Sequence, residues 1–172
     1  MTLKEIIKLH NAIGIDFKKD GLCYSINDAG LVEVYASEDF EGENADILEG
    51  TECIKSRAFA NKTNLKHISM PNGLLTIEAE AFLQCTSLQE VVIPNGVVKI
   101  GASAFCTCIE LLGIKIPESV VDIGQSAFVY CYSLNAIKLP SKVKRLETNM
   151  FYSCVRLQSV ILPKNLERIE NW

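Results

Sequence analysis

The chain has 172 residues, 48% of them hydrophobic and 22% charged, with a formal net charge of −4. This length and composition fit one ordered domain with a continuous core and argue against disorder. The small acidic balance offers no basic field for nucleic acid, and no stretch approaches the roughly 18 uninterrupted apolar residues of a membrane span.

The first expected element is a helix. Residues 1–21, MTLKEIIKLHNAIGIDFKKDG, interleave charges with apolar residues and so lack the h-region and cleavage site of a secretory signal. Thr2 followed by Glu5 fits a capping box, Leu3, Ile6, Ile7 and Ile13 share one broad face, and Gly14 ends the helix. Alternation from Gly21 to Ile26, a turn at Asn27-Asp28-Ala29-Gly30 and a return from Leu31 to Tyr35 predict a β-hairpin. Residues 1–41 therefore read as an N-terminal cap. From Glu38 to Glu52 there are seven carboxylates, read as a solvated loop. Residues 1–64 carry 7 basic and 12 acidic groups, residues 65–172 carry 10 and 9. That asymmetry also suits a basic partner or head-to-tail contact between copies.

Self-similarity governs the rest. All five prolines (Pro71, Pro94, Pro117, Pro140, Pro163) and five of the seven phenylalanines (Phe59, Phe82, Phe105, Phe128, Phe151) recur every 23 residues. The same spacing joins Leu65 to Leu157, Ile68 to Val160, Met70 to Leu162, Ile54 to Ile169, Val97 to Leu166 and Cys85 to Cys154. Such a period overrides residue-by-residue assignment and predicts a solenoid whose columns stack on themselves. The expected organisation is a degenerate unit 42–64, full units 65–87, 88–110, 111–133 and 134–156, and a partial unit 157–172 ending at Trp172, a natural cap or an exposed edge.

Within the unit Leu88–Glu110, Val91 and Ile93 have the strand period and Pro94 ends that strand. Pro94-Asn95-Gly96 supplies a turn whose last residues tolerate left-handed geometry, and Val97 to Ile100 form a second extended piece. Ala104, Phe105 and Cys108 are spaced for a helical turn with the ring inside.

The pattern L-x-x-I-x-I/L-P-x-x-V/L-x-x-I-x-x-x-A-F-x-x-C resembles the BspA-type leucine-rich repeats, over roughly residues 42 to 172. The resemblance implies a right-handed α/β solenoid arc with a parallel β-sheet on its concave face and short strands or helical turns elsewhere. It also implies adhesion or protein interaction, commonly at bacterial cell surfaces.

The seven cysteines admit three readings: buried structural thiols, disulfides between stacked neighbours, or a soft metal. Side chains in one column run parallel, and zinc needs four convergent ligands, so structural thiols are favoured. His10 and His67 are the only bases near neutrality, no triad is visible, and Gly42 is out of register for a calcium loop. No cofactor, metal or catalytic residue is assigned. An odd cysteine count without an export signal fits a cytoplasmic setting if Met1 is the natural start, and a surface or secreted one if a signal has been removed.

The expected binding face is the exposed side of the parallel sheet. Its two outward columns are His67, Glu90, Gly113, Ala136, Ser159 and Ser69, Val92, Lys115, Lys138, Ile161. The candidate residues are His67, Ser69, Glu90, Val92, Lys115, Lys138, Ser159 and Ile161, and the expected partner is a protein. The alternative is a structural role by head-to-tail self-association.

Overall fold

A computed structural model describes residues 1–170, so the expectation for Trp172 lies outside the described residues. Helix α1 (Leu3–Ala12) starts at Thr2, whose hydroxyl accepts the Glu5 N–H while the Glu5 carboxylate accepts the Thr2 N–H at 2.7 Å. Leu3 and Ile7 are buried. Ile13, expected on the same face, is exposed because the helix has already ended at Ala12 and Gly14 turns the chain at φ +73°. Strand β1 (Phe17–Lys19) pairs antiparallel with β2 (Leu22–Ile26), which pairs antiparallel with β3 (Val32–Ala36). The β2–β3 hairpin matches expectation, and the Asn27 carboxamide oxygen fixes its turn by accepting from the N–H groups of Ala29 and Leu31. Strand β1 was too short and too charged to stand out in the sequence.

Six strand pairs follow, one in each coil. They are β4 (Asn44–Asp46) with β5 (Cys53–Ile54), β6 (His67–Ser69) with β7 (Thr76–Ile77), and β8 (Glu90–Val92) with β9 (Lys99–Ile100). Next come β10 (Gly113–Lys115) with β11 (Asp122–Ile123), β12 (Ala136–Lys138) with β13 (Arg145–Leu146), and β14 (Ser159–Ile161) with β15 (Arg168–Ile169). The three-residue strands form one parallel sheet and the two-residue strands another, each pairing residues 23 apart, as in Gly113 with Glu90 or Ile123 with Ile100. The second sheet continues through β5 into β3, β2 and β1, so the hairpin extends it directly. Both sheets are interrupted once, between β10 and β12 and between β11 and β13.

The last five coils turn from the first sheet to the second at a proline, whose carbonyl accepts the N–H three residues on, as from Val97 to Pro94 at 3.2 Å, and in the first coil the Leu48 carbonyl takes that place, accepting from Thr51 at 3.2 Å. Gly96, expected to supply left-handed geometry, does not have a positive φ. Its requirement is space: a Cβ there would lie 2.7 Å from the Leu74 carbonyl oxygen of the coil before.

The segment spaced as a helical turn does turn, by linked β-turns instead of α-helix. In the coil of Phe59, Ala58, Ala60 and Lys62 donate to the carbonyls three residues back, while Arg57, Phe59 and Asn61 donate to Ala79, Ala81 and Leu83 of the next coil. Arg57 and Asn61 have φ of 60° and 63°, and the pattern recurs at Glu80 and Gln84, Ser103 and Thr107, Ser126 and Tyr130, and Asn149 and Ser153. Bonds between coils thus form a third ladder, and it bridges the sheet interruption through Ser126 to Thr148, Phe128 to Met150 and Tyr130 to Tyr152.

Inside the coils the phenylalanines stack. Phe59, Phe82, Phe105 and Phe128 are fully buried, with successive centroids from Phe59 to Phe151 5.3, 5.1, 5.8 and 5.8 Å apart and planes within 10°. Phe40 closes the stack at the cap end, edge-on to Phe59 at 6.3 Å. In the last coil the core columns open, and Leu162 and Ile169, expected inside, are exposed where no described coil covers them.

Candidate functional site

Strand alternation sends Val91, Ile114 and Ile137 into the core and the residues on either side of each outward. The register places Asn44, His67, Glu90 and Gly113 in one line, with Ala136 and Ser159 in the same column beyond the interruption. Asp46 and Ser69, Val92 and Lys115, and Lys138 and Ile161 pair beside them. All eight candidate residues lie exposed on this face. Val92 and Ile161, at 58% and 57% exposure, are the large apolar side chains on it, one on each side of Lys115 and Lys138.

Lys138 ion-pairs with Glu118 at 3.1 Å, and the second Glu118 oxygen accepts the Ser141 N–H at 2.8 Å. The Ser141 hydrogen bonds, with the Lys138 ammonium adding to them, hold the Glu118 carboxyl down at about 2. Lys115 has no ion-pair partner among the described residues. A groove of about 340 Å³ opens beside the pair, lined by Glu118, Lys138, Leu139, Ser141, Ile161 and Leu162 among others. Sequence reasoning missed Glu118 and Ser141, which lie on turns. Their only signal is position, one residue after Pro117 and one after Pro140.

The cysteine column lies inside. Cys85, Cys108, Cys131 and Cys154 donate to the carbonyls of Phe59, Phe82, Phe105 and Phe128 at 3.0 to 3.2 Å, each thiol joining two coils. All seven thiols are free. Burial pushes Cys85 up to about 12 and Cys53 and Cys154 to about 11, and raises Cys108 and Cys131 as well. Such groups stay protonated, the opposite of a nucleophile or metal ligand. In the coil of Phe59 the same column holds Lys62, whose ammonium donates to the carbonyls of Ser37 and Glu38 and ties the cap loop down. Among the described residues no three His, Cys, Asp or Glu side chains come together as a metal site. His67 sits on the outer face while the cysteines of the column point inward, so no Cys-His pair forms.

A second apolar surface, unforeseen in the sequence, lies along the linked turns. Tyr130 packs edge-on against Tyr132 and Tyr152 at 6.0 and 5.8 Å, and Leu112, Tyr132, Tyr152 and Val155 are exposed. Their signal was irregular, since the column of Tyr130 holds Asn61, Gln84, Thr107 and Ser153 in other coils and that of Tyr152 holds Ala60, Leu83, Cys106 and Val129.

The model of the BspA type leucine rich repeat region matches residues 52–172 in six copies. No curated protein sequence matches the chain. Among solved structures, a leucine rich cell surface protein of Faecalibacterium prausnitzii is similar at 27% identity and TM-score 0.81, over 91% of this chain and 45% of that one. A leucine-rich repeat protein of T. pallidum is similar at 23% identity and TM-score 0.74, over 90% and 85%. One from Eubacterium ventriosum is similar at 24% identity and TM-score 0.67, over 81% and 40%. The chain thus spans less than half the length of the first and third of these proteins.

Proposed function

Because the chain belongs to the BspA-type leucine-rich repeat family, we propose that it is a non-catalytic protein-interaction module that binds a partner through the exposed face of its three-residue-strand sheet. The coarse reading, an interaction or structural module, comes with the family and fold. The observation that supports this face is the placing of Lys115 and Lys138 between exposed Val92 and Ile161, with only Lys138 ion-paired. A central apolar-and-cationic patch with a polar surround suits a partner presenting carboxylates beside an apolar side chain. Residues 1–41 serve as the cap in this reading and residues 42–172 as the binding solenoid. The F. prausnitzii protein is a cell surface protein, which supports adhesion at a bacterial surface as the setting. Protease shaving of intact cells tests that setting, since a surface module is released and an internal one survives.

The test of the face is affinity capture with wild type and with a Lys115→Glu, Lys138→Glu variant whose fold is checked by circular dichroism. A partner retained by wild type and lost by the folded variant supports the reading. Equal retention by both removes this face from the proposal.

A further inference from the structure

The two sheets end out of step at the cap. The two-residue-strand sheet runs on past β5 into β3, β2 and β1, whereas the three-residue-strand sheet stops at β4. The Glu43 carbonyl accepts from Lys66 and His67, and the Ile47 N–H donates to Ser69, so alternate backbone groups of β4 face β6. The N–H and C=O groups of Asn44 and Asp46 therefore point the other way, where no described strand pairs with them.

This edge cannot be extended by another copy docking end-on. Strands β4 and β5 belong to one coil, and β3 already fills the place beside β5 that the second strand of an added coil would need. A single extended segment has no such conflict. The edge is also acidic: Asp46 and Glu49 are without ion-pair partners among the described residues, and Glu41 and Glu43 stand at the start of the strand, bonded to Asn64 and Lys66. Charged and short edges ordinarily discourage strand addition by like partners, and the same charges attract a segment of opposite sign.

We infer that the outer edge of β4 is a strand-addition site for an extended, lysine- or arginine-bearing peptide segment of another protein, separate from the sheet face proposed above. Backbone bonds to Asn44 and Asp46 supply affinity and the flanking carboxylates select a basic sequence. Of the nearby groups, Lys66 is held by Glu43, so it does not neutralise Asp46 or Glu49.

The probe is a fluorescent peptide of alternating lysine and valine, with two controls: a glutamate–valine peptide and a lysine–valine peptide N-methylated at every backbone nitrogen. Anisotropy titration of the whole chain should give saturable binding of the lysine peptide alone, with slowed exchange of the Asn44 and Asp46 amides. Asp46→Lys should weaken it about tenfold or more, as should Asn44→Pro, which removes an outward donor without touching the β6 ladder. Lys115→Glu should leave it unchanged, which separates this site from the sheet face. The inference is overturned if the N-methylated peptide binds as tightly, if the two amides are unaffected at saturation, or if the lysine peptide shows no saturable binding.

Discussion

A buried thiol that donates to the carbonyl of a neighbouring coil is both packing and a hydrogen bond, and its pH behaviour follows. The Cys85 thiol is raised from its ordinary 9.0 to about 12 by burial. Its folded form holds the proton more tightly than the unfolded chain does, so its contribution is complete below about pH 9 and is lost as pH rises towards 12. The melting temperature should fall with pH across that window, and Cys85→Ala should flatten the fall. An unchanged slope would put the alkaline loss elsewhere. Phe105 lies fully buried between two ring neighbours, so Phe105→Ala should cost about 3–5 kcal/mol by opening a cavity, whereas exposed Lys115→Ala should stay within about 0.5 kcal/mol. Denaturant titration reads both. These two residues also show what was legible: a strict period identifies Phe105 as inward and Lys115 as outward because strand alternation and stacking leave no other place for them. Glu118 was not legible, because its contact with Lys138 is made across coils from a turn, where sequence spacing carries no facing rule.

The linked turns show the opposite balance at the scale of an element. Ala104, Phe105 and Cys108 have helix-compatible spacing, yet the backbone turns with two positive φ angles per coil and sends half its N–H groups to the next coil. Spacing records which side chains face inward and not which carbonyl each N–H meets, so stacking prevailed over an isolated helical turn. Left-handed geometry at a residue with a Cβ costs about 1–2 kcal/mol, and the ladder between coils has to offset it. Gln84, at φ 59°, isolates that cost because it is exposed, so a substitution there changes the backbone preference with little buried packing to lose. Gln84→Gly should be more stable than Gln84→Val by about 1–2 kcal/mol in urea unfolding. Equal stabilities would mean that the conformation is not strained there. The hairpin, by contrast, was legible because its Asn27 turn is written in local sequence.

For the molecule as a whole, each coil touches only its neighbours, so stability accumulates along the axis and is limited where neighbours are poorly joined. The cap end is well joined: β3 continues the sheet, Phe40 closes the ring stack and Lys62 ties down the cap loop. None of these three was visible as periodicity, since the cap departs from the 23-residue pattern in order to finish it. At the other end, both sheets are interrupted between the coils of β10–β11 and β12–β13, and Leu157, Val160 and Leu166 are only half-buried. The third ladder and the Phe128–Phe151 contact cross that interruption, so the last coils remain attached but are held by fewer strand bonds. Native-state hydrogen exchange should therefore show the amides of β12 to β15 opening at lower free energy than those of β5 to β9, as a separate cooperative unit. In the same experiment Met150→Ala, which cuts buried packing in the coil just past the interruption, should lower protection in the C-terminal coils and leave the cap-proximal coils near their wild-type values. A uniform loss across all strands would show instead that the solenoid opens as a single unit and that the interruption does not divide it.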